Sequence, residues 1–259
     1  MMANFLKNLF TRNEQLDTAQ LIIKKTFVSF FFFFVFAGLA FWGWKWLRNQ
    51  PKTANGTSKP VRKILDANEN IFNGFLSDKH LAKEYPVSFA ANPARVNGDV
   101  GLKSSLDSNW RMNVIHASGD TLKISLDDIR KLPKTDLVFN FKCIEGWSQI
   151  THWGGVKFSD FVKAYGLNKE SGMKYLGLNT PDKEYYVGID MPSAMHPQTL
   201  LVYELNGKPL PLNQGYPLRL IIPVKYGVKS LKRIGTMFFS NERPPDYWAE
   251  RGYDYFSGL

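Results

Sequence analysis

Cys143 is the only cysteine in this 259-residue chain, and it stands in the stretch FKCIEGWSQITHWGGVKF, residues 141–158. A lone thiol has three uses. It can pack as a small hydrophobe. It can act as a nucleophile if a base such as histidine takes its proton. The chain offers His80, His116, His152 and His196, and none lies in a nucleophile motif. It can also give one thiolate bond to a metal. One cysteine does not build a zinc or iron–sulfur site, so this third use needs a metal that a cofactor already holds. The neighbourhood favours a functional role. The thiol follows a strand-like run and precedes a loop, where side chains are offered to ligands. Gly146, Gly154 and Gly155 allow close backbone approach, and Trp147 and Trp153 are suited to shape and dry a pocket.

The elements that would position this loop begin near residue 64. TLKISL (121–126) alternates as a strand does. SLDDIRKLP predicts a short helix, with Ser125 as N-cap, Asp128 three residues later and a stop at Pro133. TDLVFNFKCIEG predicts a strand that ends in a turn just past Cys143. KFSDFVKAYGL predicts a helix capped by Ser159 and stopped by Gly166. EYYVGIDM, LLVYELNGKPLP, LRLIIPVKYG and KRIGTMFF read as strands, with an Asn206-Gly207 turn in the second. Strands predominate and helices are short, so an α+β domain is expected rather than a regular βαβ repeat.

Upstream, TFVSFFFFFVFAGLAFWGW (26–44) carries no charge, and Trp42, Trp44 and Trp46 gather at its C-terminal end. This length crosses a bilayer as a helix, and interfacial tryptophans sit at such ends. A cleaved signal peptide would have a shorter apolar run and a small-residue cleavage site. The expected organisation is an N-terminal flank (1–25), a transmembrane anchor (26–47), a polar linker (48–63) and a domain (64–259). Orientation signals conflict. Lys7, Arg12, Lys24 and Lys25 precede the span, whereas Lys45, Arg48, Lys52, Lys59, Arg62 and Lys63 follow it. The positive-inside rule would keep the domain in the cytoplasm. IKKTFVSF (23–30) resembles a twin-arginine export signal with lysines in place of both arginines, and on that ground a periplasmic domain on a single-pass inner-membrane anchor is expected. The net charge of +10 suits an anionic ligand or surface. No basic helix or aromatic RNA-binding motif accompanies it, so nucleic acid is not an expected partner.

FNFKCIEGWS…WGGV resembles the molybdenum-cofactor segment of the sulfite oxidase family, which includes the plant nitrate reductase core and the periplasmic methionine sulfoxide reductase catalytic subunit. The similarity continues through LVYELNGKPLPLNQGYPLRLIIPVKYGVKSLKRI (201–234) and YWAERGY (247–253), and covers roughly residues 86–259. The resemblance implies a strand-rich sulfite-oxidase-type fold that binds a molybdenum–molybdopterin cofactor, with Cys143 as the thiolate ligand to the metal. It implies that Arg219 and the Ser230-Leu231-Lys232 triplet hold the cofactor phosphate; as plain residues they would be surface charge beside a strand. Arg95 and Asn97, in PARVNGDVG, would line the cofactor. Thr180, in LNTPD, falls where relatives contact the pterin. Gln214 stands where others have His or Asn, keeping a polar donor without an imidazole. Tyr253 matches the tyrosine beside the metal in sulfite-oxidising members, or else is a packed C-terminal aromatic. No haem-attachment motif, fused haem or flavin domain, or C-terminal dimerisation domain is recognisable. Electrons are therefore expected to pass to or from a separate haem protein or cytochrome, with a small S- or N-oxide or sulfite-like molecule as substrate. Two alternatives stay open: a cofactor-free membrane-bound scaffold of the same fold, and a thiol enzyme that uses Cys143 as nucleophile.

Overall fold

The computed structural model describes residues 12–13, 16–53, 57–76, 79–103 and 109–258. Residues 1–11, 14 and 15 of the N-terminal flank, Lys7 among them, lie outside the described residues, as do 54–56 of the predicted linker and Leu259. The chain divides into two units, Met1–Thr53 with Ser58–Pro60, and Ala54–Thr57 with Val61–Leu259.

The first unit is dominated by helix α1, Thr18–Arg48. Asp17 caps it, its carboxylate accepting from the Gln20 amide at 2.8 Å. This cap starts the helix well before the apolar run. None of its residues is buried, and it is long and apolar enough to cross a membrane. At 1.5 Å per residue its 31 residues span about 46 Å, more than the roughly 30 Å hydrocarbon layer.

Helix α2, Lys59–Phe75, begins inside the stretch read as linker. Pro60 suits a first turn, where its missing N–H costs nothing. The ordered elements that follow are β1 (Arg111–Ile115), β2 (Thr121–Ser125), α3 (Leu126–Arg130), β3 (Lys134–Lys142), β4 (Ser148–Lys157), α4 (Phe158–Ala164), β5 (Tyr175–Asn179), β6 (Tyr186–Asp190), α5 (Met191–Ala194), β7 (Leu200–Leu205), β8 (Lys208–Pro209), β9 (Arg219–Ile221) and β10 (Thr236–Ser240). They form two sheets. One has the order β2-β1-β10-β5-β6, in which only β1 and β10 run parallel; the other has β3-β4-β7-β8, with β9 also on β7. This is the expected α+β architecture.

Alternation assigns the faces. Leu201, Tyr203 and Leu220 turn into a core shared with Met112, Ile124, Leu178 and Met237 of the other sheet. Leu200, Val202 and Ile221 turn the opposite way, onto Leu137, Phe139 and Trp153. The second sheet is thus covered on both faces, which is why β7 reads LLVYEL with little polar interruption.

Ser125 and Asp128 form the expected capping box at α3, and Ser125 and Lys131 together hold the Asp128 carboxyl below the usual carboxylate range. Asn206 and Gly207 both take positive φ at the β7–β8 turn. Two details differ from expectation. Helix α4 begins at Phe158, so Ser159 lies inside its first turn and no side chain caps it; the Phe158 amide instead donates to the Thr199 carbonyl at 2.9 Å. Phe158 and Phe161 are fully buried, and that packing, rather than a cap, fixes where the helix starts. The Gly154-Gly155 pair serves the sheet. The β4–β7 register shifts there, and a Cβ on Gly155 would stand 2.2 Å from the Leu201 carbonyl oxygen.

Candidate active site and cofactor cleft

Strands β3 and β4 are a hairpin paired to Lys142–Ser148, and Cys143 is the first residue of its turn. Its amide donates to the Trp147 carbonyl at 2.9 Å, and the Gly146 amide returns to the Cys143 carbonyl at 3.1 Å. Gly146 has φ +88°, so the tight return needs glycine. Lys142, one residue earlier, is exposed, whereas Cys143 is buried. The thiol faces a cleft of about 1060 Å³, counted to its open mouth.

Three other segments wall this cleft. Arg95 and Asn97 come from the irregular chain before β1; Gln214, Arg219, Ser230 and Lys232 come from β9 and its flanking loops; Trp248 and Tyr253 come from the C-terminal segment. Of the predicted site residues, Arg95, Asn97, Cys143, Gln214, Arg219, Ser230, Lys232 and Tyr253 therefore meet around one space. Thr180 and Leu231 do not line it. Thr180 closes the β5–β6 turn, donating to the Asp182 carboxylate at 2.6 Å, with its amide on the Tyr185 carbonyl. Leu231 is a fully buried core residue whose amide donates to the Lys229 carbonyl at 3.0 Å, so neither its side chain nor its N–H faces the cleft.

The cleft has a cationic side. Arg219 is 3% exposed. One of its terminal nitrogens donates to the carbonyl and side-chain oxygens of Gln214, each at 3.0 Å, and the other to the Ser230 carbonyl at 3.2 Å. Its plane stacks on Trp153 at 4.7 Å. Among the described residues no carboxylate pairs with it, and burial pushes its pKa down to about 9. Its Nε and the Ser230 hydroxyl are both buried without a hydrogen-bond partner. Lys232 donates to the carbonyls of Asn97, Gly98 and Asn213 at 2.7, 2.9 and 3.0 Å. Burial first, and the Arg219 charge second, push its ammonium down to about 7, against the pull of Asp99.

Around the thiol the wall is mainly aromatic, and Trp153 carries it on to Arg219. Both Trp147 and Trp153 belong to this wall. The Arg95 guanidinium lies over the Trp147 ring at 4.4 Å, and its own carbonyl accepts from Gln214 at 3.1 Å. The Asn97 side-chain amide donates to the Cys143 sulfur at 3.6 Å. Tyr253 is 42% exposed at the mouth, its ring edge-on to Trp248 at 5.1 Å.

Tyr185 was not singled out from sequence. It lines the cleft, is pushed to higher pKa by burial, and donates its hydroxyl to the Val228 carbonyl at 2.7 Å. Its position in EYYVGIDM gives no signal beyond strand propensity. Gln149, Thr151 and Trp248 were likewise unpicked, although Gln149 and Thr151 share the inward side of β4 with Trp153. None of the four histidines lines the cleft. His116 pairs with Glu170 at 3.0 Å and His152 with Asp136 at 2.9 Å. The thiol therefore has no imidazole base beside it.

A cofactor with a phosphate end and a metal end fits this donor set. Arg219 Nε and the Ser230 hydroxyl are stranded buried donors that an anion would satisfy. Cys143 could supply one soft ligand from the aromatic wall of the cleft.

The likeness to known proteins agrees. Residues 98–248 match the family described as oxidoreductase molybdopterin binding domain. YedZ1 of Azospira oryzae, provisionally named a protein-methionine-sulfoxide reductase subunit, is 36% identical over 73% of this chain and 72% of its own length. The protein-methionine-sulfoxide reductase catalytic subunit MsrP of Campylobacter jejuni is 30% identical over 71% of this chain and 68% of that protein. Among solved structures, the sulfane dehydrogenase SoxCD of Paracoccus pantotrophus is similar at a TM-score of 0.48, with 18% identity over 54% of this chain and 40% of that one. With more than half of its length inside the family match, this chain belongs to the molybdopterin-binding oxidoreductases of the sulfite oxidase type and is an enzyme of that family.

Proposed function

We propose that this enzyme reduces methionine sulfoxide in proteins, with Cys143 as the metal ligand. The observation that carries the proposal is one cleft joining a buried thiol to a buried, carboxylate-free cation, in a chain 36% and 30% identical to proteins named for this activity. When bound, the molybdenum cofactor supplies a two-electron centre that exchanges one oxygen atom with substrate. The balance is simple: the sulfoxide sulfur gains two electrons, and its oxygen leaves with two protons as water.

The chain's own residues do the rest. Arg219, Ser230 and Lys232 would hold the phosphate end. Asn97 donates toward the Cys143 sulfur and orients it in the cleft. Trp147 and Trp153 exclude water around it. Arg95 and Tyr253, at the mouth, present donors to the sulfoxide oxygen, a neutral group that accepts hydrogen bonds. Thr180 and Leu231 act through packing, as the turn and the core beneath Ser230. Helix α1 would anchor the domain in the inner membrane on the periplasmic side, near a separate haem protein or cytochrome that supplies electrons. A reporter fused after Leu259 tests this topology: fluorescence from a cytoplasm-restricted reporter would overturn it.

The deciding test uses protein from a host that makes the cofactor. Molybdenum content, metal-centred spectra and dye-linked turnover are measured on the parent and on Cys143→Ser, with methionine sulfoxide in peptides, free methionine sulfoxide and sulfite. The parent should hold molybdenum and reduce the peptide oxide. Cys143→Ser should keep the fold, change the spectrum and lose turnover, because an alkoxide is a harder, less covalent donor. A parent without molybdenum would leave a scaffold or thiol reading, and alkylation separates those two. A serine variant with the parent's spectrum would remove Cys143 as ligand.

A further inference from the structure

Helix α2 lies outside the family match at 98–248, as does Tyr253. The two are nevertheless tied together. The Arg62 guanidinium donates to the Tyr253 carbonyl at 2.8 Å and, through its other terminal nitrogen, to the Ala249 carbonyl. These carbonyls bracket the short helical turn Ala249–Arg251, whose own bonds run Arg251 amide to Trp248 carbonyl at 3.0 Å and Tyr253 amide to the same carbonyl at 3.0 Å. One planar fork therefore pins both ends of the loop that carries Trp248 and Tyr253 into the cleft.

The rest of the helix repeats the attachment. Asp66 and Glu69, one turn and two turns on, accept from Arg243 at the start of the same C-terminal segment, the first at 3.0 Å. Glu69 also accepts from the Tyr175 hydroxyl at 2.5 Å. Phe72 stacks on Phe256 with ring centres 5.4 Å apart and planes 9° from parallel. Spacing 62, 66, 69 and 72 puts all four on one side of a helix. Apart from the Tyr175 hydroxyl, the partners of that side all lie in the segment 243–256, which contributes two side chains to the cleft and forms no strand.

We infer that α2 is a positioning strap for the substrate side of the cleft, and that Arg62 is its key positioning residue, holding Trp248 and Tyr253 in place without touching substrate. This rests on the proposed reading of the cleft. The strap would set how well substrate binds, and leave the cofactor end, formed by Arg219 and Ser230, untouched.

The test combines hydrogen exchange with kinetics on the full chain. In Arg62→Ala, amides of residues 247–253 should exchange about tenfold faster or more, since the local opening loses both carbonyl anchors. Exchange in β3, β4 and β9 should match the parent. Molybdenum content should be unchanged, and KM for a methionine sulfoxide peptide should rise about tenfold, with kcat changed less. Arg62→Lys, which can reach one carbonyl at a time, should recover part of both effects. Lys63→Ala, on an exposed neighbour, should recover the parent's values in full. If Arg62→Ala does not fold, Arg62→Lys alone decides, by its exchange at 247–253. Unchanged exchange there, or a loss of molybdenum in step with activity, overturns the strap. Faster exchange in protein that reduces no sulfoxide keeps the strap and sinks the substrate assignment instead.

Discussion

Replacing Arg219 with methionine separates what the guanidinium costs the fold from what it gives an anion. Its folded pKa, about 9 against an ordinary 12.5, corresponds to about 5 kcal/mol of charge-burial cost at neutral pH. The sign follows from the direction. A basic group depressed on folding destabilises the fold fully below its folded value, about 9, and the cost fades only as pH rises from there toward 12.5. Methionine fills a similar length and carries no charge. It strands three acceptors, the two Gln214 oxygens and the Ser230 carbonyl, at about 1 kcal/mol each. The net expectation for cofactor-free protein is stabilisation by about 2 kcal/mol, within the range seen when buried charges are replaced by apolar groups. For a chain of this size that raises Tm by roughly 4–8 °C. In cofactor-loaded protein the order reverses, because the variant loses a charge-assisted phosphate contact and molybdenum content falls. The assay is thermal melting of parent and Arg219→Met made in hosts with and without cofactor synthesis, with metal analysis of both. A cofactor-free variant that melts several degrees below the parent, with molybdenum content intact in the loaded form, would refute the reasoning.

Lys232 gives a pH signature: its folded pKa, about 7, lies below the ordinary 10.5, so the parent should gain stability relative to Lys232→Met as pH rises from about 7 toward 10.5 in denaturant titrations. Over the same rise, inorganic pyrophosphate should bind cofactor-free parent more weakly, as the ammonium is lost; pH-independent binding would remove Lys232 from the anion site. Gly155→Ala should cost about 3 kcal/mol or more, because the added methyl meets the Leu201 oxygen at 2.2 Å and the Val202 Cα at 2.5 Å, both backbone atoms. A Tm within a degree of the parent's would show that β4 can shift there. Tyr185→Phe should lower stability by about 1 kcal/mol through the stranded Val228 carbonyl and leave molybdenum content unchanged, as read by chemical denaturation and metal analysis.

Part of the cleft lining was legible in the sequence, by two different routes. Cys143 stood out from its own setting, a strand end before a glycine-bearing turn, whereas Arg219, Ser230 and Lys232 followed only from the resemblance to the sulfite oxidase family. Local alternation likewise located β2, β3, β6 and β7, and the Ser125–Asp128 box located α3. What escaped depends on contacts distant in sequence. The resemblance put Thr180 at the pterin, yet Asp182 and the Tyr185 backbone take up its hydroxyl. Leu231 sits between two site residues, and the alternation that aims Ser230 and Lys232 at the cleft sends it into the core. The Gly154-Gly155 pair suggested ligand approach, but its neighbour is β7, some 47 residues away in sequence. Tyr185 carries no local mark because its role comes from the Val228 carbonyl it meets. Helix α2 was hidden by the polar, Pro-bearing sequence before it.

Strand β10 has a consequence for how the molecule is made. It lies between β1 and β5, so it alone joins the β1–β2 pair to the β5–β6 pair, and it is the last strand among the described residues. Its partner β1 precedes it by more than a hundred residues, Asn113 facing Thr236. During synthesis the two hairpins can form early, each beside an open edge, and no strand joins them until residue 240 is available. Met112 and Val114 on one pair, and Leu176 and Leu178 on the other, become one continuous sheet face only through Met237 and Phe239 of β10. The sheet on this side of the core is therefore completed last, and a chain truncated before Thr236 should leave the apolar faces of both hairpins open to chaperones.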